Sequence, residues 1–209
     1  MRTRIRFAFA TTLAWGLLAV AWPAEAQIVY TRTNITIGHN SSYNLDLNND
    51  GVTDFIISTN SSRTRGCDGY LGVWVFSGTL AETPVSGNGA AGSPPTNLAK
   101  GDQIGPSQTF YEGTGTMAWF SSCSPPGVPG GPYYDGIGGD NWMGYKSCGE
   151  YCLMPIGLKG YLGLTFQIDG ETHYGWVLVS VSNRVEGARL LGYAYETTTN
   201  MPINAGQTK

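Results

Sequence analysis

Within the stretch LDLNNDGVTDF, residues 45–55, oxygen-bearing side chains fall at alternate positions: Asp46, Asn48, Asp50 and, after one gap, Asp54. Three carboxylates this close in sequence repel one another unless a cation lies among them. Calcium takes about six to eight hard oxygen ligands, and donors at alternating loop positions wrap a chain around one ion. Val52 fills the remaining alternate position and has only its main-chain carbonyl to give, while Gly51 permits a sharp turn. The expected ligand set is therefore Asp46, Asn48, Asp50, the Val52 carbonyl and Asp54, holding Ca2+ in a structural role. The competing reading is an Asn-Asp-Gly turn whose acids only face water. An EF-hand is ruled out by Ile57, which stands where that motif needs a bidentate Glu, and by the strand-like flanks.

Other chemistry-bearing residues are sparse. The sequence contains no Gly-x-Ser-x-Gly, Ser-x-x-Lys or His-Glu-x-x-His pattern. Its two histidines, His39 and His173, sit in no triad or metal spacing, and His173 falls on an apolar strand face. Asp135, Asp140 and Glu150 are the only acids placed to suit a two-carboxylate glycosidase, so the balance is against an enzyme. The run GGPYYDGIGGDNWMGY, residues 130–145, sets Tyr133, Tyr134, Trp142 and Tyr145 beside amide and carboxylate neighbours. Rings so flanked suit flat, polar, weakly charged ligands such as extracellular polysaccharide. Trp176 joins them as a candidate ligand residue if its strand face is open. The competing reading is that these rings cap the core.

The elements that must position these residues are strands. Helical periodicity is absent beyond the amino terminus. Alternating or β-branched runs recur at 28–37, 42–47, 54–59, 70–77, 116–120, 161–168, 172–181 and 190–197, separated by Gly, Asn and Asp clusters. This predicts an all-β fold, an antiparallel β-sandwich of jelly-roll-like kind, with long Gly/Pro-rich loops at 84–96 and 121–150. Asp169-Gly170 predicts a two-residue type I′ turn. That turn sets Phe166 opposite His173 and Leu162 opposite Val177. One face then carries Leu162, Leu164, Phe166, Val177 and Val179, and the other Tyr161, Thr165, Tyr174, Trp176 and Leu178. Trp176 falls opposite Gly163, whose bare backbone a ring can cover. The face bearing Trp176 is expected to be covered, because it carries Leu178 where a solvent-facing strand would carry charge.

The amino terminus places the chain. Arg2, Arg4 and Arg6 precede an apolar run from Phe7 to Trp22, followed by Ala24-Glu25-Ala26. This is the pattern of a signal peptide over residues 1–26, cleaved after Ala26, leaving residues 27–209 as one secreted or periplasmic domain with no further membrane span. Losing three Arg and one Glu with the leader moves the formal net charge from −3 to −5. A mildly acidic chain without a basic run has no footprint for nucleic acid. Cys67, Cys123, Cys148 and Cys152 then sit in an oxidising compartment, where an even count predicts two disulfides. Three pairings are open; Cys148–Cys152 as a local clip and Cys67–Cys123 as a long closure are favoured. The residues are silent on oligomeric state.

The spacing D-x-N-x-D-G-x-x-D at 46–54 resembles the short calcium loops between strands of integrin-type repeats. It occurs once, so a propeller is not implied. Together with LAKGDQIG at 98–105, YLGL at 161–164, THYGW at 172–176, GYAYET at 192–197 and the tail INAG at 203–206, it resembles secreted bacterial proteins related to the ectodomains of PEP-CTERM-sorted proteins. The resemblance implies export and a β-rich ectodomain, and supplies no catalytic residues. The chain lacks the terminal Pro-Glu-Pro motif and anchor of that group. The function expected from these features is that of a secreted, calcium-stabilised β-sandwich binding or adhesion module, with glycan or matrix as its ligand. The alternatives are a structural envelope or matrix protein without a ligand and, less favoured, a glycoside-active enzyme.

Overall fold

The structure, a computed structural model, describes residues 27–64, 67–77, 87–123, 133–138, 142–149, 152–182 and 187–209, with the side chains at 61–71, 119–141 and 143–156 outside the description. Every element among the described residues is a strand, and every pairing is antiparallel. One sheet runs in the order β1 (Ile28–Ile37), β15 (Ala188–Glu196), β14 (Glu171–Val181), β13 (Lys159–Ile168), β5 (Gly89–Ala91), β8 (Phe110–Tyr111), with β6 (Asn97–Leu98) also on β13. The second runs β10 (Tyr133–Gly138), β9 (Thr114–Cys123), β4 (Cys67–Ser77), β3 (Phe55–Thr64), β2 (Ser42–Leu45). Two short ribbons complete the fold: β11 (Met143–Gly149) with β12 (Cys152–Gly157), and β7 (Gln103–Ile104) with β16 (Ile203–Asn204).

The expected strands recur with shifted ends. The Gly/Pro-rich stretch 121–150, expected as loop, instead contributes β10 and β11, and β5 lies within the expected loop 84–96. Glycine lowers strand propensity, but pairing with an existing edge overrides it: β10 extends the sheet from β9 through a bulge between Tyr134 and Gly136. Sequential neighbours make up most of the second sheet, as in β2-β3-β4, while in the first sheet only β13-β14-β15 are sequential. The chain crosses between the two sheets, with β1 in the first, β2 to β4 in the second, β5, β6 and β8 in the first, β9 and β10 in the second and β13 to β15 in the first, an all-β, sandwich-like order that does not single out a jelly roll.

The hairpin β13–β14 has the register set by its turn. Asp169 (φ 52°) and Gly170 (φ 82°) both adopt the left-handed region that type I′ requires. Ile168 pairs Glu171, Phe166 pairs His173 and Leu162 pairs Val177. Leu162, Leu164, Phe166, Val177 and Val179 are fully buried between the sheets, against Phe55, Ile57, Val73 and Val75 of the facing sheet. The other face is covered as well. Tyr174, Trp176 and Ala194 form a second cluster with Leu98, Ile104, Ile203 and Ala205, brought over by the β7–β16 ribbon. Trp176 is 2 % exposed, its indole N–H donates to the Gln207 carbonyl at 3.1 Å, and Tyr161 meets it edge-on at 5.2 Å between centroids.

Gly163 is not the seat of the Trp176 ring. A Cβ there would meet Leu98, Ala91 and Ile104 at 2.9–3.3 Å, so the strand backbone approaches the covering layer itself. The apolar faces of this hairpin are therefore both core. Phe166→Ala is expected to cost about 3–5 kcal/mol in denaturant unfolding, and Trp176→Ala about as much. In the folded protein the Trp176 fluorescence should resist acrylamide. Full quenching, or a neutral Trp176→Ala, would place that face in solvent.

Candidate metal centre

The 46–54 loop hangs between β2 and β3, and its ends are fastened in the core. Leu45, Leu47, Phe55 and Ile57 are all fully buried, so the loop has an inward anchor even at its second residue. The Asp54 N–H donates to the Leu45 carbonyl at 2.9 Å, and the Asp54 Oδ2 accepts the Leu47 N–H at 2.8 Å. Between these anchors the chain reverses through left-handed Asn49 (φ 59°) and Gly51 (φ 89°). The glycine is needed for its backbone angle rather than for space, since a Cβ there would meet nothing within 4 Å.

The carboxylates organise this turn. Asp46 accepts the Asp50 N–H at 3.2 Å through Oδ1 and the Gly51 N–H at 2.8 Å through Oδ2. Asp50 Oδ1 accepts the Val52 N–H at 2.7 Å, and its Oδ2 accepts the Asn48 Nδ2 at 2.9 Å. The Val52 side chain is 61 % exposed and serves no packing role, leaving its main chain as what that position contributes. Asn48 Oδ1 is buried and accepts no hydrogen bond among the described residues. A buried acceptor without a donor is uncommon and costly, and in an oxygen-lined loop it has the character of a cation ligand.

Electrostatics add to this. Asp54 is 5 % exposed. Burial pushes its carboxyl up from the ordinary 3.8 to about 6, with Asp46 and Asp50 pushing the same way and hydrogen bonds from Leu47 and Asn88 opposing. The field reaches across the sandwich end. The Tyr195 phenol is raised by burial first and then by Asp46, Asp50 and Asp54, and the Tyr43 phenol by burial, Tyr193 and Asp46. No three His, Cys, Asp or Glu side chains among the described residues gather into a compact metal-binding group. That holds for Asp46, Asp50 and Asp54 too: the three loop carboxylates do not converge into one such group.

One contributor was not legible in the sequence. Asn88, 1 % exposed, donates to the Asp54 carbonyl at 3.2 Å and accepts the Gln167 N–H at 3.1 Å. It ties the loop to β13 of the opposite sheet. Nothing distinguishes it in the Gly-rich segment from which it comes. His173 is structural: it is 5 % exposed, with Nδ1 2.9 Å from the Glu196 carbonyl and its ring against Phe166.

Of the expected ligand rings, the two that are described, Trp142 and Trp176, are both buried. Trp142 is fully buried in the main core, with its indole N–H donating to the Pro95 carbonyl at 2.8 Å, and Trp176 lies in the second cluster. Both are packing residues, because each ring found an apolar layer and a carbonyl for its N–H. The side chains of Tyr133, Tyr134 and Tyr145, and of Asp135, lie outside the described residues, as do Asp140 and Glu150 altogether. The backbone places Tyr133 and Tyr134 on β10, an edge strand, and Tyr145 on β11. The four cysteine side chains also lie outside the description. No family model, curated protein or solved structure matches the chain.

The raised Asp54 carboxyl sets a pH dependence in chelator. Its folded value of about 6 lies above the ordinary 3.8, so the folded state holds the proton more tightly. That contribution to stability is present at low pH and is lost as pH rises through about 6. In EDTA the melting temperature should therefore rise as pH falls from about 7 to about 5, by the equivalent of on the order of 1–2 kcal/mol. Asp54→Asn, which keeps an acceptor for Leu47, should flatten the trend. An unchanged pH profile in that variant would remove Asp54 as its source.

Proposed function

We propose that this chain is a secreted, calcium-stabilised β-sandwich that serves as a binding or adhesion module for extracellular polysaccharide or matrix. The observation that carries the calcium reading is the 46–54 loop, in which Asp46 and Asp50 stand beside the orphaned Asn48 Oδ1 and the desolvated Asp54 carboxyl. A divalent cation among them would satisfy the amide oxygen and relieve the carboxylate repulsion that raises Asp54. With Val52 supplying its carbonyl, the ion would fix the join of β2 and β3. Its role is structural, since the loop's outer residues Asp50 and Val52 are exposed while its ends are core.

Export rests on the leader pattern at 1–26 and on the resemblance to PEP-CTERM-type ectodomains. The strand register supports the disulfide part of the reading. Cys67 and Cys123 are directly opposed on β4 and β9, and residues so paired have Cα atoms about 4.5–5.5 Å apart, within the range a disulfide spans. The pairs Ser147↔Leu153 and Gly149↔Cys152 bracket Cys148 in the bulge of the β11–β12 hairpin, beside Cys152. With Trp142 and Trp176 committed to packing, a polysaccharide surface would rest on the β10–β11 stretch and its tyrosines. A purely structural matrix component is the second reading, favoured by that loss of two rings.

Two experiments test this. Purified residues 27–209 should melt higher in millimolar calcium than in EDTA, with a dissociation constant on the order of 0.1–1 mM. Asp50→Ala should abolish the shift, and identical melting in all four conditions would sink the calcium site. Non-reducing peptide mapping of exported protein should find Cys67 joined to Cys123 and no free thiol. Reduction should cost on the order of 4 kcal/mol through that long closure. A glycan array on the same material separates binding module from structural component.

A further inference from the structure

Glu196, at the end of β15, is 1 % exposed. A carboxylate so placed is expensive unless a cation or several donors meet it. Its Oε1 accepts two main-chain N–H groups, from Thr198 at 2.8 Å and from Gln27 at 3.0 Å. Among the described residues no Lys or Arg side chain is paired with it. The approach of Gln27 is fixed from both sides: its carbonyl accepts the Thr197 N–H at 2.9 Å, and the next residue, Ile28, is in register with Glu196 itself. Residue 27 is also the residue that the leader pattern makes the first of the mature chain.

We propose that cleavage after Ala26 creates the missing counter-ion, and that Glu196 is a receptor for the α-ammonium group of the mature chain start. Hydrolysis of the Ala26–Gln27 amide consumes one water, leaves a carboxylate on Ala26 and frees the Gln27 amine, which takes up a proton at neutral pH. In the uncleaved chain the nitrogen offers Glu196 one neutral N–H. In the mature chain it offers three donors and a full charge at the same position, and charge-assisted bonds of this kind are about twice as strong as neutral ones. Removal of the leader thus becomes a step that tightens the closure of β1 on β15. The inference rests on the leader reading and is independent of the calcium site.

The test is a thermodynamic cycle on residues 27–209 in calcium buffer. Four proteins are compared: the free amine and the Nα-acetylated chain, each with Glu196 and with Glu196→Gln. The free amine should melt about 2–4 °C above the acetylated chain, a shift that corresponds to one charged contact in a domain of this size. The difference should vanish in Glu196→Gln. Equal melting of the two wild-type forms, or a difference that survives in Glu196→Gln, overturns the proposal. Should Glu196→Gln fail to fold, the acylation rate of the α-amine near neutral pH decides. It should be several-fold slower in the folded wild type than in a peptide of residues 27–37, and equal rates overturn the pairing. Intact mass of freshly exported protein locates the start. A free amine at Gln27 supports the proposal, while a start elsewhere overturns it together with the leader reading. Cyclisation of Gln27, in which the amine nitrogen displaces the side-chain amide as ammonia, would remove the charge, so a lactam start overturns the ion pair alone.

Discussion

The register of the β13–β14 hairpin is the constraint on which the rest of the molecule depends. Side chains alternate across a strand, so a slip of one residue would exchange its two faces. Here both faces are buried, one against the second sheet and the other against the β7–β16 layer. An exchange would put Leu162, Leu164 and Phe166 where Tyr161 and Trp176 now sit, and neither layer would fit. Asp169 and Gly170 hold the register by adopting the positive backbone angles of a two-residue turn. The neighbouring strands follow from it, since β15 docks on β14, and β1 on β15.

Upon this frame the acidic loop is a local conflict. Folding draws Asp54 into the interior beside two other acids, because Leu45, Leu47, Phe55 and Ile57 on either side bury their side chains. The hydrogen bonds to Leu47 and Asn88 offset part of the cost, yet the carboxyl remains raised. A chain that only needed a turn would do as well with neutral residues here. The loop thus places a raised buried carboxyl beside a buried amide oxygen. Asn88 then acts as a strut, joining the loop carbonyl at Asp54 to the opposite sheet at Gln167. A change at the loop is therefore felt by both sheets.

Among the described residues, Trp142 and Trp176 are taken up by packing. Trp142 and Trp176 each combine a large apolar ring with one N–H, and each buried ring finds a carbonyl, at Pro95 and Gln207. In a chain rich in glycine, which contributes no side chain to bury, such rings add large apolar areas to a mainly aliphatic core. Recognition of a partner, if it uses aromatic residues, falls to those on or near the outer strands.

The sequence alone determined the strand content, the hairpin register, the two core faces of β13–β14 and the residues of the acidic loop. These are local properties: side-chain period, turn chemistry and donor spacing are written in consecutive residues. Tertiary structure decided what depends on partners distant in the chain. It turned part of the Gly/Pro-rich stretch 121–150 into strands by offering β9 as an edge to β10. It assigned Trp142 to the core, since no local signal distinguishes a ring that binds a ligand from one that caps a sandwich. It brought Asn88 to Asp54 and Gln27 to Glu196, contacts made across 34 and 169 positions of sequence separation. Contacts that long follow from the stacking and order of sheets, which no run of neighbouring residues encodes.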